Sequence, residues 1–318
     1  MKKIIVFLIM LVHVYAGELI QPNYTYQIST GLVTDLLVYD KNLYVSTDNG
    51  HVFVYDMKTK QKIKSIHLPM VEDFMGDRVE SKIFSLDMLE NQLLILSEDS
   101  NGYSRIHLLH SDGTLEQVVS KADALNIVKA KFIDKNRLLF ALISNDLISY
   151  TIQNQKKNWV TQASMSKFSS FALNKPRTLV AVADESGDVH VISTKDGTIV
   201  QTLSGENVDN IFSVAFRNNL VITGGQDRRV GVYNLKNGKS YHKSSSFFVY
   251  GVGLSPSGKI GAYSSDLQNN VTLFYTDSKE DIATYQSNQS IVNGVYFINE
   301  NEFFINSNGG SLSYYKVK

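Results

Sequence analysis

Seven stretches of the chain repeat one pattern of residues, and this repeat constrains the fold more than any other feature. Each stretch has a polar turn followed by a short run with apolar residues at alternate positions, as in DESGDVHVISTKDGTIVQTL from Asp184. The first apolar residue after the turn serves as an anchor, and the anchors are Val52, Ile106, Leu147, Val189, Val230, Val271 and Leu312. Their separations are 54, 41, 42, 41, 41 and 41 residues, so the period is nearly constant along the chain.

A period of about 40 residues built from strands is typical of the blades of a β-propeller. A second pair of strands precedes each anchor, as in IFSVAFRNNLVITGG from Ile211, so each repeat contains four strands, named A to D from the axis outwards. The last repeat has no D strand after its C strand, and the segment NYTYQIS at residues 23–29 has the strand character to replace it. We therefore predict an all-β fold, a seven-bladed β-propeller of four-stranded blades, closed by an N-terminal strand that completes the last blade.

Four short motifs make the chain resemble the WD40-like β-propeller superfamily over residues 23–318. They are VYD at residues 54–56, VYN at 232–234, SVAF at 213–216 and SPSG at 255–258. The usual Trp of the repeat is replaced by Tyr or another residue, and no Gly-His pair precedes the A strands, so the hydrogen-bonded tetrad of the strict family is expected to be absent. The resemblance implies the fold and says little about activity, because propellers carry many unrelated functions.

The first 16 residues have the pattern of a cleavable export signal. Lys2 and Lys3 precede an apolar run at residues 4–12, and Val14 and Ala16 occupy the −3 and −1 positions. The alternative is an uncleaved anchor, but the run is shorter than the roughly 20 apolar residues of a spanning helix. The sequence predicts a signal peptide at residues 1–16, cleavage near Ala16, and a periplasmic, monomeric propeller at residues 17–318 that is not attached to a membrane.

The composition argues against several classes of partner and site. The 318 residues include 31 acidic and 31 basic side chains, so the formal net charge is zero and no broad field attracts nucleic acid or an anionic membrane surface. The chain contains no cysteine, which excludes disulfides, thiolate catalysis and cysteine-based metal sites. We therefore expect neither a nucleic-acid partner nor a membrane partner.

The histidines and paired carboxylates form no recognisable catalytic or metal motif. His107 and His190 both follow the anchor directly, but they fall in blades 2 and 4, which do not adjoin, so they cannot share a metal ion. The pairs Glu98-Asp99 and Asp184-Glu185 fall in B–C turns, where acidic side chains cap backbone N–H groups. We predict no catalytic residue, no metal and no cofactor. A lactonase-like, metal-dependent hydrolase is the alternative, because ligands scattered around a propeller channel leave no local motif.

One column of the repeat predicts where a partner binds. Aligning the A strands on Leu37 in blade 1 and on its equivalents in the other blades gives a position of mixed polarity near the start of the strand. Its residues are Asp35, Phe84, Val128, Ser169, Phe212, Tyr250 and Asn293. Since packing at this position is not shared by all blades, we expect the column to line the mouth of the axial channel. Asp35, Phe84, Phe212 and Tyr250 are the candidate partner contacts.

Two further features are predicted to lie on the same face. The 54-residue spacing includes an insertion, HLPMVEDFMGDRVESK at residues 67–82, whose Met70, Phe74 and Met75 suit an adaptable apolar contact, unless they fold back onto the blades. Arg228 and Arg229 follow Asp227 in the B–C turn of blade 5, where they either form an ordinary charged turn or bind a carboxylate of a partner.

The chain also resembles a narrower group, the NapL accessory proteins of periplasmic nitrate respiration. The features that support this resemblance are the export signal, the absence of cysteine, the seven diverged repeats and a composition rich in Lys, Asn, Ile and Ser. This resemblance implies a non-enzymatic interaction module whose partner is a component of the periplasmic nitrate reductase. A general periplasmic scaffold is the other non-enzymatic interpretation.

Overall fold

The computed structural model describes residues 19–318, which form a closed ring of seven four-stranded antiparallel sheets. Each sheet is one blade of a β-propeller, with strand A at the axis and strand D at the periphery. The predicted fold class is therefore confirmed. The predicted signal peptide and its cleavage point lie outside the described residues.

The strands are numbered in chain order. Blade 1 consists of β2 (Val33–Tyr39), β3 (Asn42–Thr47), β4 (His51–Asp56) and β5 (Lys62–His67). Blade 2 consists of β8 (Ile83–Leu89), β9 (Gln92–Glu98), β10 (Ser104–Leu109) and β11 (Leu115–Val119). Blade 3 consists of β12 (Ile127–Asp134), β13 (Arg137–Leu142), β14 (Asp146–Thr151) and β15 (Lys156–Gln162). Between blades 1 and 2 lie two short strands, β6 (Val71–Glu72) and β7 (Arg78–Val79).

Blade 4 consists of β16 (Phe168–Leu173), β17 (Leu179–Asp184), β18 (Val189–Ser193) and β19 (Ile199–Leu203). Blade 5 consists of β20 (Ile211–Arg217), β21 (Leu220–Gly225), β22 (Arg229–Asn234) and β23 (Ser240–Ser244). Blade 6 consists of β24 (Val252–Leu254), β25 (Ile260–Ser264), β26 (Val271–Tyr275) and β27 (Asp281–Tyr285). Blade 7 consists of β28 (Val292–Asn299), β29 (Glu302–Ser307), β30 (Ser311–Lys316) and the N-terminal β1 (Tyr24–Gln27).

Strand β1 closes the ring as predicted. It pairs antiparallel with β30, with Tyr26 opposite Leu312. The Tyr26 ring is 2% exposed and packs edge to face against Tyr55 of blade 1 at a centroid distance of 5.2 Å. Blade 7 is thus completed by the start of the chain and is packed against blade 1, so neither end of the array presents an open sheet edge.

At three junctions of the ring, neighbouring A strands are joined by an equivalent hydrogen bond near their start. Ser85 Oγ accepts from the backbone N–H of Ala130 at 3.1 Å, and Ser213 Oγ accepts from that of Val252 at 3.3 Å. In blade 1 the same position is taken by Asp35, whose carboxylate accepts from the N–H of Leu86 at 2.9 Å. These bonds fix which residues of the A strands are equivalent.

The equivalence corrects the predicted alignment of blade 1 by one residue. Val33 pairs with Thr47 just as Ile83 pairs with Ser97, so Thr34, and not Asp35, is equivalent to Phe84, Phe212 and Tyr250. The three consecutive apolar residues at positions 36–38 permit two alternating registers, and the alignment on Leu37 used the wrong one. Leu36 is the buried residue, at 2% exposure.

The ring has two faces that differ in their connections. The upper face, as we call it, is formed by the D–A loops and the B–C turns. The D–A loops are at residues 28–32, 68–82, 120–126, 163–167, 204–210, 245–251 and 286–291. The B–C turns are at residues 48–50, 99–103, 143–145, 185–188, 226–228, 265–270 and 308–310. The lower face carries the A–B and C–D turns.

Candidate binding face and axial channel

Large apolar side chains are exposed mainly on the upper face. Of the sixteen exposed large hydrophobic residues, nine lie in its loops and turns: Leu32, Met70, Phe74, Met75, Ile143, Met165, Val208, Leu267 and Ile291. Of the other seven, five lie on peripheral strands: Tyr24, Ile63, Val160, Ile199 and Val200, with Tyr24 and Ile199 at the lower ends of theirs. Tyr275 ends β26 at the lower face, and Leu19 precedes β1. Such a one-sided distribution of apolar surface is typical of an interaction face.

The insertion between blades 1 and 2 folds into a hairpin that presents two of its apolar side chains to solvent. Strands β6 and β7 pair with Val71 opposite Val79, and the Asp73 carboxylate accepts from the N–H groups of Met75 and Asp77 at 2.8 and 3.0 Å. The tip side chains Phe74 and Met75 are 79% and 86% exposed. The edge of the Phe74 ring lies over Gly102 in the B–C turn of blade 2, where a Cβ would be 3.2 Å from Phe74 Cζ, but both tip side chains remain mainly exposed.

The hairpin is attached to blade 2 at its base. The N–H of Glu72 donates to Ser100 Oγ at 3.2 Å, and the buried guanidinium of Arg105 donates to the carbonyl of Pro69. Val71 is 5% exposed, whereas Met70 is 37% exposed. The base is thus held by polar and apolar contacts, while the tip is free to contact another molecule.

A cluster of four aromatic side chains covers the channel mouth between blades 5 and 6. Phe212 and Tyr250 are stacked with their ring centroids 5.1 Å apart, and Phe247 and Phe248 are stacked at 4.8 Å. The Phe248 ring lies edge-on to Tyr250 at 6.1 Å. All four side chains are partly exposed. We call these residues the aromatic cluster.

Two members of the aromatic cluster were not anticipated from the sequence. Phe247 and Phe248 lie in the D–A loop that leads into blade 6, outside any alternating pattern. The run SSSFFVY at residues 244–250 was the only signal, since two adjacent Phe residues after three Ser residues are unusual in a loop. Phe84, the candidate of blade 2, packs instead on the core cluster between blades 2 and 3 and remains partly exposed.

The Asp-Arg-Arg turn of blade 5 has one accessible cation. Asp227 caps the turn, since its carboxylate accepts from the N–H of Val208 at 2.8 Å and from that of Arg229 at 3.1 Å. Arg229 is partly buried and directs its guanidinium at the carbonyl of Glu206. Arg228 is exposed at φ +62° and forms no ion pair within residues 19–318. A partner carboxylate can therefore reach Arg228 more readily than Arg229.

Asp35 lies in the wall of the channel and not at its rim. It is 6% exposed, and its carboxylate accepts from the N–H groups of Leu36 and Leu86 and from the Tyr296 hydroxyl at 3.0 Å. The Lys131 ammonium lies 3.7 Å from it. These contacts, apart from the Leu36 bond within blade 1, join blade 1 to blades 7, 2 and 3, so the carboxylate is engaged within the ring. Its place in the column with Phe84 was a register error of blade 1, and partner contact by Asp35 stays a prediction.

A second carboxylate extends this network to blade 4. Asp87 accepts from the backbone N–H of Phe132 in blade 3 at 2.8 Å and from the Arg177 guanidinium at 2.6 and 3.1 Å. Both channel carboxylates are thus occupied by bonds within the protein. No group of three or more His, Asp or Glu side chains with metal-binding geometry is found among residues 19–318.

The two equivalent histidines have different surroundings. His107 is 4% exposed, and burial lowers its pKa to about 4, with the nearby Arg105 acting in the same direction. Its Nδ1 has no hydrogen-bond partner in the described part of the chain. His190 lies 3.8 Å from Asp184 and 3.3 Å from the Thr202 hydroxyl. Each histidine is thus accommodated within its own blade.

The channel mouth on the side of blade 7 and blades 1 to 4 contains a pocket of about 350 Å³. Its walls come from the column at the start of the A strands and from the next positions along these strands, including Phe84, Val128, Lys129, Ser170 and Asn293. Blades 5 and 6 contribute no residue to it. The predicted column therefore does line the channel mouth, but it divides into a pocket on one side and the aromatic cluster on the other.

No protein-family model and no curated protein sequence matches this chain. Residues 19–318 contain no helix long and apolar enough to cross a membrane. The architecture is that of a seven-bladed propeller, consistent with the WD40-like arrangement. This fold is compatible with a protein-interaction module and with a propeller hydrolase.

Proposed function

We propose that the protein is a non-enzymatic interaction module that binds a protein partner through its upper face. The observation that carries this proposal is the concentration of exposed apolar side chains in the upper loops and turns, which hold nine of the sixteen such side chains among residues 19–318. The lower side has Tyr275 and the first residues of two outer strands, Tyr24 and Ile199. Solvent-exposed Phe and Met residues lower the solubility of a protein unless another molecule covers them.

The anchors of the interface are the hairpin tip and the aromatic cluster. Buried aromatic side chains dominate the energy of protein interfaces, and Met adapts its shape to irregular surfaces. The hairpin extends from blade 2, whereas the aromatic cluster lies between blades 5 and 6. The partner therefore spans the channel mouth, with Arg228 available to pair with an acidic group at the edge of the interface.

The compartment and the partner are the finer part of the proposal. The residues before the propeller have the composition of an export signal, and the chain resembles the NapL accessory proteins. We propose export to the periplasm and a partner among the components of the periplasmic nitrate reductase.

The test is affinity capture of the partner from the native compartment by the mature protein and by matched surface variants. The double variant Phe74→Ser/Met75→Ser removes the hairpin tip, and Phe212→Ala/Phe247→Ala opens the aromatic cluster. Tyr275→Ser removes a 46% exposed aromatic residue from the lower face and serves as the control. Truncation of a true anchor costs about 2 kcal/mol or more of binding free energy, a loss of roughly thirtyfold or more in affinity.

The expected result is that the two upper-face variants lose the captured partner, whereas Tyr275→Ser retains it, with unchanged circular dichroism in all cases. Retention of the partner by both upper-face variants and its loss from Tyr275→Ser would assign the interaction to the other face.

A further inference from the structure

The pocket at the channel mouth contains a lysine whose charge is not paired. Lys129 Nζ has one hydrogen bond, 3.4 Å to Ser170 Oγ, and lies 5.2 Å from the centroid of the Phe171 ring. It forms no ion pair within residues 19–318, in contrast to the neighbouring Lys131, which lies 3.7 Å from Asp35. An ammonium group held in a pocket without a counter-ion is suited to receive an anion.

The one carboxylate that faces the pocket is not available as that counter-ion. Asp35 accepts from the N–H groups of Leu36 and Leu86 and from the Tyr296 hydroxyl, and it lies next to Lys131. Its charge is thus balanced within the channel wall. The charged groups left to meet a ligand are Lys129 in the pocket and the exposed Lys167 at its rim.

The uncharged groups of the pocket divide it into a polar side and an apolar side. Ser170 provides a hydroxyl group next to Lys129, and Ser169 lines the pocket while its hydroxyl donates to Asn210 Oδ1 at 3.2 Å. Phe84, Val128 and Ile143 form an apolar wall. A volume of about 350 Å³ is at the lower end of the range for small-molecule sites. A ligand that fits both sides has one acidic group and a short apolar body.

We propose that this pocket binds a small organic carboxylate, with the carboxylate on Lys129 and Ser170 and the apolar body against Phe84 and Val128. This site is separate from the proposed interface anchors, since neither the hairpin tip nor the aromatic cluster contributes to it. A bound carboxylate supplies the counter-ion that Lys129 lacks. Among residues 19–318, Lys129 is the one charged group of the channel that pairs with no oppositely charged side chain of the ring.

The protonation of Lys129 gives the site a characteristic pH dependence. Burial lowers the pKa of Lys129 to about 8; the positive charge of Lys131 adds to this effect and Asp35 opposes it. The ammonium form predominates at about pH 6.5 and is a minor species at about pH 9.5. A carboxylate ligand therefore binds more tightly at the lower pH, and near pH 8.5 its binding takes up a proton.

Calorimetric titration of the mature protein with phenylacetate tests the site, with butyrate and acetate as smaller probes and phenylacetamide as the uncharged isostere. We expect phenylacetate to bind at least tenfold more tightly than phenylacetamide. We also expect at least a tenfold loss of affinity between about pH 6.5 and about pH 9.5. Titration near pH 8.5 in two buffers of different ionisation enthalpy measures the proton uptake.

Two variants locate the site. Lys129→Met removes the charge at similar side-chain length, and Ser169→Asp places a carboxylate inside the pocket, which repels the ligand and competes for Lys129. Each is expected to weaken phenylacetate binding at least tenfold, and Ser169→Asp decides the question should Lys129→Met fail to fold. Lys236→Met, in the C–D turn of blade 5 at the lower face, is the control and should bind as the wild type does.

The proposal is overturned if none of the three carboxylates binds in the millimolar range, if phenylacetamide binds as tightly as phenylacetate, or if a folded Lys129→Met or Ser169→Asp variant retains wild-type affinity.

Discussion

Two arcs of the ring are held together in different ways. From blade 7 through blade 1 to blade 4, the channel wall is joined by a charged network in which Asp35 contacts Tyr296, Leu86 and Lys131, and Asp87 contacts Arg177. We call this the charged arc. Between blades 6 and 7 the equivalent positions are glycines, Gly251, Gly253 and Gly294, and the backbones approach closely. We call this the glycine arc.

The difference explains why the channel mouth is asymmetric. In the charged arc, side chains of the A strands line the pocket at the channel mouth. In the glycine arc there is no room for a side chain: a Cβ at Gly251 would lie 2.7 Å from Val292 Cγ1. The mouth next to this arc is covered instead by the aromatic cluster of blades 5 and 6. The pocket thus belongs to the charged arc, and the aromatic cluster lies beside the glycine arc.

The largest effect is expected from Asp35→Ala, which breaks the charged arc at its centre. The substitution leaves the Leu86 N–H, the Tyr296 hydroxyl and the Lys131 ammonium without their shared acceptor. Removing one partner of a buried charged pair costs about 3 to 5 kcal/mol, and we expect the free energy of unfolding in urea to fall by this amount. Asp35→Ser should lose less, because Ser85 and Ser213 accept the same backbone bond in blades 2 and 5. Equal losses for the two variants would show that the backbone bond to Leu86 contributes nothing measurable, and unchanged stability of Asp35→Ala would contradict the proposed role of the carboxylate.

The glycine arc is tested by Gly253→Ala. A Cβ at this position would overlap the carbonyl oxygen of Val295 in blade 7, so the two A strands must move apart. Overpacking of this kind costs about 3 kcal/mol, which urea unfolding measures directly. The matched change is Ala215→Gly at the equivalent position of blade 5, where a loss of about 1 kcal/mol or less is expected. A tolerated Gly253→Ala would show that this contact does not limit the approach of blades 6 and 7.

A smaller, pH-dependent effect belongs to blade 2 of the charged arc. The pKa of His107 is lowered to about 4 in the folded protein by burial, whereas an unfolded histidine titrates near 6.5. Between these values the unfolded state binds more protons, so stability falls as the pH decreases from about 7 to about 4, by up to about 3 kcal/mol.

His107→Phe isolates this contribution, since the equivalent position in blade 1 holds a buried Phe53. The difference in unfolding free energy between variant and wild type should grow in favour of the variant as the pH falls through this window. A difference that stays constant from about pH 7 to about pH 4 would show that His107 is not the group responsible.

The fold could be predicted from the sequence because its determinants are local and repeated. Seven anchors at a nearly constant spacing specify the blades, and the strand at residues 23–29 is identified by the missing partner of the last C strand. The register of blade 1 was not determined in this way, because Leu36, Leu37 and Val38 are apolar in succession. There the choice depends on Asp35 bonding to the next blade, which is a tertiary contact.

The channel chemistry could not be predicted for a related reason. Asp35, Lys131 and Tyr296 are far apart in the chain and meet only once the ring is closed. Lys129 stands out only because the one carboxylate that faces its pocket, Asp35, is engaged by other blades, which no local pattern reports. Phe247 and Phe248 lie in a loop, where hydrophobic periodicity gives no information. The hairpin tip, in contrast, was identified as an insertion in a regular array.

The most direct test of partner binding by the upper face is hydrogen–deuterium exchange of the protein alone and with its captured partner. We predict that backbone amides in the hairpin tip at residues 73–77 and in the loop at residues 245–251 exchange more slowly in the complex, while amides in the lower-face turns are unchanged. Slower exchange confined to the lower-face turns, with unchanged exchange in these two segments, would contradict the proposal.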